Sequence, residues 1–390
     1  MEDTQITEQI KYIGVNDKTI DLFESQYVVP NGISYNSYLI KDEKNVVMDT
    51  VDKRATEKWI KNLQNELHGQ TVDYLVVSHL EPDHAYNIQW LADQYPNMKI
   101  IGNAKTFEMM LQFFNIQNLE QRKVVVKEND TISTGKHKLQ FIMAPMVHWP
   151  EVMVTYEQTE KIFFSADGFG KFGTLDTNED WLCEARRYYF NIVGKYGAQV
   201  QNLLKKASTL DIKIICPLHG PILKDNLKYY LNKYNIWSNY QPEEKGVLIA
   251  YASIYGNTKH AVEKLKEDLQ QNGVKKVVMT DLTRDDMAEA IEDAFKYDTL
   301  ILACSTYNME MFPPMEQFLS NLMGKNYQNR KIAIIENGSW APMAGAKMKK
   351  IVEKMKNITL YEPTITIKSK MTDETIMKFN KLAKKIGGEN

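Results

Sequence analysis

Residues 72–87 read VDYLVVSHLEPDHAYN. An apolar run, YLVV, breaks off into a segment that sets His79, Glu81, Asp83 and His84 within six positions. The run has the length and β-branched content of a buried strand, and the Pro and polar residues after it mark a loop. Ligand sites in α/β folds form at such carboxyl ends of strands. His79, Glu81 and Asp83 alternate, and alternate side chains of an extended segment share one side. Asp83 and His84 can then address a second position as the chain turns into the next helix.

Three further candidates recur in the same setting. His148 in APMVHWPEVM follows KLQFIMA, Asp167 in FFSADGFG follows KIFF, and His219 in CPLHGP follows IKII. A single histidine in such a place packs or faces solvent as readily as it binds a metal. Four strand ends converging on one sheet edge would instead assemble four imidazoles and three carboxylates. His68, His137 and His260 have no such context and are expected at the surface.

Working outward, the first half mixes strand-like runs (NSYLIKD, NVVMDTV, MKIIGN, VMVTYE) with helical patterns such as ATEKWIKNLQNEL. This predicts an α+β sandwich with helices outside. The second half alternates regularly. GVLIAYAS, KKVVMTDL, DTLILACST, KIAIIENGS and TLYEPTITIK each precede a helical pattern, the first from about residue 258 to 271. Five strand–helix pairs predict a doubly wound parallel five-stranded sheet. The polar segment WSNYQPEEKG, residues 237–246, reads as a short linker, giving expected domains 1–245 and 246–390.

Three loops of the second half share one sheet edge. SIYGNT (253–258) joins the first strand to its helix; Ser253, Tyr255, Gly256, Asn257 and Thr258 suit a phosphate at a helix N-terminus. The segment also suits a plain turn with a helix cap. It contains neither GK[ST] nor GxGxxG, which argues against a nucleoside triphosphate or a dinucleotide. STYNMEMFPP (305–314) and NGSWAP (337–342) add aromatic faces and backbone edges for a planar ring.

Together, HLEPDH, HWP, ADGFG and LHG resemble the metallo-β-lactamase fold, with Glu81 where its zinc hydrolases typically carry a second His. The second half resembles flavodoxin. The combination is similar to the flavodiiron proteins over essentially the whole chain. That resemblance implies an N-terminal metallo-β-lactamase-like αββα sandwich and a C-terminal flavodoxin-like domain. It implies FMN, held by the 253–258 residues at its phosphate and by Thr306, Tyr307, Asn308, Gly338, Ser339 and Trp340 at its ring. Tyr255 stands where flavodoxins usually have Thr. It further implies two non-haem irons and an oxidoreductase that reduces O2 to water, NO to N2O, or both. His79, Glu81 and His148 would hold one iron, Asp83, His84 and His219 the other, with Asp167 available to bridge. Ligation by His and carboxylate without thiolate suits iron or manganese, and the same atoms suit zinc. A zinc hydrolase with a flavin-binding accessory domain is therefore the alternative. Tyr189 and Tyr196 are candidates either for proton delivery or for the core. An external electron donor, a rubredoxin or in some relatives a reduced deazaflavin, and a head-to-tail homodimer or a tetramer are also implied.

Composition constrains the rest. Lys+Arg number 48 against 50 Asp+Glu, a net charge of −2, so no basic surplus points to nucleic acid. The acidic, polar start MEDTQITEQI is unlike a signal peptide, and no run is apolar enough to span a membrane. Three scattered cysteines form no CxxC pair and no disulfide framework, so a cytoplasmic location is expected, with no appended rubredoxin-like iron site.

Overall fold

The computed structural model describes residues 4–388. The chain forms two compact units, Met1–Asn235 and Ile236–Asn390.

In the first unit two sheets face each other. One runs Ile10–Tyr12, Tyr38–Ile40, Val46–Met48, Tyr74–Val76, Lys99–Gly102, Lys123–Val125 in spatial order. Its pairs are antiparallel up to Val46–Met48 and parallel from there on. The other runs Thr131–Ser133, Lys138–Met143, Met153–Glu157, Ile162–Phe164, Ile214–Cys216. Apolar side chains from both fill one core, Tyr38, Val46, Val76 and Ile101 meeting Leu139, Phe141, Met153 and Phe164. A helix such as Thr56–Leu67 adds Trp59, Leu63 and Leu67, four apart and all buried, to the core. The sandwich expected from the alternating runs is thus present. The strands Lys123–Val125 and Thr131–Ser133 escape the sequence reading because each is three residues long and only partly buried, so their apolar stretches are very short.

In the second unit five parallel strands lie in the order Val277–Asp281, Glu244–Ala252, Tyr297–Tyr307, Gln328–Asn337, Lys356–Ile367. The first strand in sequence sits second in space, the doubly wound arrangement read from the alternation. A short antiparallel strand, Glu310–Met311, folds back on Tyr297–Tyr307. Helices follow at Asn257–Gln271, Met287–Lys296, Pro313–Gly324, Ala344–Val352 and Asp373–Gly387. The segment 237–246 is structured at both ends. The helix Leu227–Ser238 enters it, and the strand Glu244–Ala252 begins within it. Trp237 is buried and donates its indole N–H to Glu243 at 2.8 Å.

Candidate metal centre and flavin site

The seven residues read as metal ligands converge. His79 lies just past the strand Tyr74–Val76, and Asp83 and His84 lie in the short helix Pro82–Ala85, started by Pro82 at its first position. His148, Asp167 and His219 follow the strands Lys138–Met143, Ile162–Phe164 and Ile214–Cys216. They form two groups, His79–Glu81–His148–Asp167 and Asp83–His84–His219, with ligand atoms within 4.8 Å of one another in each. Glu81 Oε2 lies 3.2 Å from His79 Nε2 and 3.0 Å from His148 Nε2. Asp83 Oδ2 lies 3.3 Å from His84 Nε2 and 3.1 Å from His219 Nε2. Asp167 addresses both groups. Its Oδ2 is 3.4 Å from His79 and 3.3 Å from His148, and its Oδ1 is 3.1 Å from His84.

Many polar atoms of the site have no partner. Both oxygens of Asp83 and Asp167, both nitrogens of His84 and Nε2 of His219 are buried without a hydrogen-bond partner. Burial works against ionising Asp167, and the surrounding imidazoles of His84, His148 and His79 outweigh it, holding the carboxyl well below the usual range. His148 moves the other way: burial lowers it, but Asp167 and Glu81 raise it to about 9. Burial pushes Asp83 up to about 7. Buried carboxylate oxygens and imidazole nitrogens without partners, gathered this closely, are what a pair of cations would satisfy. The donor set fits non-haem iron.

The supporting residues were not singled out from the sequence. Glu151 Oε1 accepts from His79 Nδ1 at 2.8 Å and from the Leu80 amide at 2.9 Å. His219 Nδ1 donates to the Ser34 carbonyl at 2.7 Å. These bonds fix the tautomers that leave both Nε2 atoms facing the centre. Asp49, at a left-handed φ of 55°, accepts the Ser78 amide at 2.6 Å and so fixes the start of the ligand loop. Glu151 stands within HWPEVM and Asp49 within NVVMDTV, both already quoted as strand ends; what was missing was the pairing across the fold. Tyr189 packs against Phe190 and Tyr234, and Lys195 lies over the Tyr196 ring. The tyrosines beside the centre are Tyr188 and Tyr35, both buried, with rings 5.5 and 6.1 Å from that of His219. A cavity of about 220 Å³, lined by Phe23, Glu24, Tyr35 and Arg54, opens onto Glu81 and Asp83.

In the second unit a cavity of about 250 Å³ lies at the carboxyl ends of the strands. Ser253, Tyr255, Asn257, Thr258, Thr306, Asn308, Gly338, Ser339 and Trp340 line it, as do Ile254, Ser305, Met309, Asn337 and Ser369. Gly256 and Tyr307 do not. Gly256 holds φ 91° at the start of the helix Asn257–Gln271, a conformation that favours glycine, and Tyr307 packs edge-on against Phe312. Gly256 at the cap has no side chain to offer; Ser253 Oγ accepts the Gly256 and Lys259 amides, which leaves the Asn257 and Thr258 amides open to an anion. The Thr306 hydroxyl accepts the Met343 and Ala344 amides and so holds the 338–343 loop. Ser369 joins the site through Asn337, with bonds of 2.9 and 3.0 Å in both directions. Tyr255 is 94% and Trp340 75% exposed, so two large aromatic faces rim the cavity without cover. Open amides at one end and free aromatic faces at the rim fit a phosphorylated planar ring.

Comparison with known proteins agrees with the fold of both units. Residues 33–220 match the model of the ODP family beta lactamase, and residues 248–368 that of a flavodoxin domain. The anaerobic nitric oxide reductase flavorubredoxin of Vibrio vulnificus is 28% identical over 86% of this chain and 70% of its own length. The flavodiiron protein of Giardia intestinalis superposes with a TM-score of 0.92, covering 100% of this chain and 96% of that one at 24% identity. Rubredoxin oxygen:oxidoreductase from Desulfovibrio gigas superposes with a TM-score of 0.90 over 99% and 98% of the two chains, again at 24% identity. With a β-lactamase-like unit carrying a His/carboxylate centre and a flavodoxin unit carrying a flavin-sized cleft, the chain belongs to the flavodiiron proteins.

Proposed function

We propose that this protein reduces O2 to water, NO to N2O, or both, at a non-haem di-iron centre, with electrons passed through FMN. One observation carries the reading. Asp167 offers one oxygen to each of two buried His/carboxylate groups, in a chain that also carries a flavodoxin unit. Bound iron and FMN supply the electron chemistry; the protein's own residues hold, orient and shield. His79, Glu81 and His148 would hold one ion and Asp83, His84 and His219 the second, with Asp167 offering an oxygen to each group. Glu151 and Ser34 keep two imidazoles aimed inward. Burial of all seven residues but Glu81 excludes water, and the cavity beside Glu81 and Asp83 suits a substrate of two atoms. The alternative of a zinc hydrolase with an accessory flavin domain is not favoured, because relatives that span both units include ones named as a nitric oxide reductase and a rubredoxin oxygen:oxidoreductase.

The finer points belong to the same proposal. The relatives' names point to an electron donor of the rubredoxin type. Exposed Tyr255 and Trp340 support a head-to-tail homodimer in which a second copy covers the flavin rim. No helix among the described residues is long and apolar enough to cross a membrane, which is compatible with the expected cytoplasmic location. Consumption of O2 and of NO by protein with intact flavin, supplied with a reduced rubredoxin, tests the function. Turnover of at least one gas is expected. No turnover of either by protein loaded with iron and FMN would overturn it.

A further inference from the structure

His137 was expected at the surface, and the structure buries it completely. It precedes the strand Lys138–Met143; Glu157 closes Met153–Glu157, and Glu160 lies in the turn that follows. His148 follows the opposite end of that strand, whose six residues span about 20 Å. The cluster therefore stands at the far end of the sheet from the metal centre.

Its geometry repeats the signature of that centre. The ligand atoms of His137, Glu157 and Glu160 lie within 4.8 Å of one another. Gln9 Oε1 accepts from Lys136 Nζ at 2.9 Å, and an ammonium can only donate, so the atom 3.1 Å from His137 Nε2 is an oxygen. Nε2 therefore carries the ring hydrogen, and in the neutral imidazole Nδ1 presents a lone pair. Nδ1 lies 3.1 Å from Glu157 Oε1 in a geometry that makes no hydrogen bond, and Glu160 Oε2 is likewise buried without a partner. Glu157 is held in place by the amides of Thr159 and Glu160, at 2.8 and 2.6 Å. Asp42, bonded to the His137 amide at 2.8 Å, adds a third carboxylate to the surroundings.

We propose that His137 Nδ1, Glu157 and Glu160 form a site for one divalent transition-metal ion, separate from the di-iron centre. A ligating imidazole whose other nitrogen donates to a fixed acceptor is the usual arrangement at such ions, and Gln9 is that acceptor here. One imidazole with two carboxylates suits zinc, ferrous or manganous ions. The ion would fasten the turns around residues 134–137 and 157–161 to the segment that carries Gln9. A proton on Nδ1 is the competing occupant.

Zinc binding to the full-length, iron- and FMN-loaded protein tests this. After dialysis against Zn2+, metal per chain is measured for wild type, His137→Gln and Glu160→Gln. The expected result is one zinc in the wild type beyond the iron, bound at least about tenfold more weakly by either variant, with iron, flavin and gas consumption unchanged. Glu160 is less buried than His137, so its variant keeps the test open should His137→Gln fail to fold. No zinc beyond that which displaces iron, or an extra zinc held equally by wild type and Glu160→Gln, would overturn the site.

Discussion

Asp167 is the residue on which the metal centre turns, because its two oxygens face different imidazole groups. Replacing it with Ala is expected to abolish gas reduction while leaving the flavin absorption spectrum intact, since the flavin cavity is built from another unit. Loss of the flavin spectrum as well would contradict two separate centres. Glu151 acts one bond further out, through His79 Nδ1. Glu151→Gln should weaken iron binding roughly 10–100-fold, measured by dialysis against a chelator, with flavin content unchanged. The ligands themselves were legible in sequence because His79, Glu81, Asp83 and His84 crowd into one loop after an apolar run, and His148, Asp167 and His219 each follow such a run with Gly or Pro close behind. Glu151, Asp49 and Ser34 were not, since their partners lie 72, 29 and 185 positions away, and only the folded sheets bring them together. The buried site at His137 was invisible for the same reason: Glu157 and Glu160 sit on a neighbouring strand and its turn.

At the scale of elements, strand ends and helix starts do the positioning. The helix Asn257–Gln271 begins at Gly256 with φ 91°, and a Cβ there would meet no neighbour within 4 Å. The cost of a substitution is therefore conformational rather than steric. Gly256→Ala should cost about 1–2 kcal/mol in thermal unfolding and weaken FMN retention, followed by flavin fluorescence on dilution. Asp286 caps the helix Met287–Lys296 by accepting the Ala288 amide at 2.8 Å; Asp286→Ala should cost about 1 kcal/mol without touching flavin content. Cys304 ends the apolar part of Tyr297–Tyr307, and burial pushes its thiol up to about 12. As the thiol is neutral below that value, a maleimide at pH 8 should leave Cys304 unmodified in the native protein and label it after unfolding. The five parallel strands and their helices were readable from alternation alone. The strand Glu310–Met311 was not, because it is only two residues long and its pairing with Thr306 and Tyr307 is made by the fold of the loop itself. Ser369 was missed because it enters the flavin cavity from the fifth strand's loop, which contains no aromatic or glycine to mark it.

Across the whole molecule, two units supply two kinds of chemistry. The first has an apolar core between its sheets, with the charged centre built from loops at their edge. The second packs Val247, Ile249, Ile301 and Ile335 against the helices that carry Leu265 and Phe379. A family resemblance was legible because the motifs HLEPDH, HWP, ADGFG, LHG and SIYGNT are spread over both units. Preference between O2 and NO was not, since the ligand residues read alike for both gases. The claim that everything else depends on is that the two His/carboxylate groups hold two irons. A crystal structure of the purified protein with anomalous data at the iron absorption edge tests it most directly. Two iron peaks are expected, one among His79, Glu81, His148 and Asp167 and one among Asp83, His84 and His219. No iron at either position, or zinc alone in both, would contradict it.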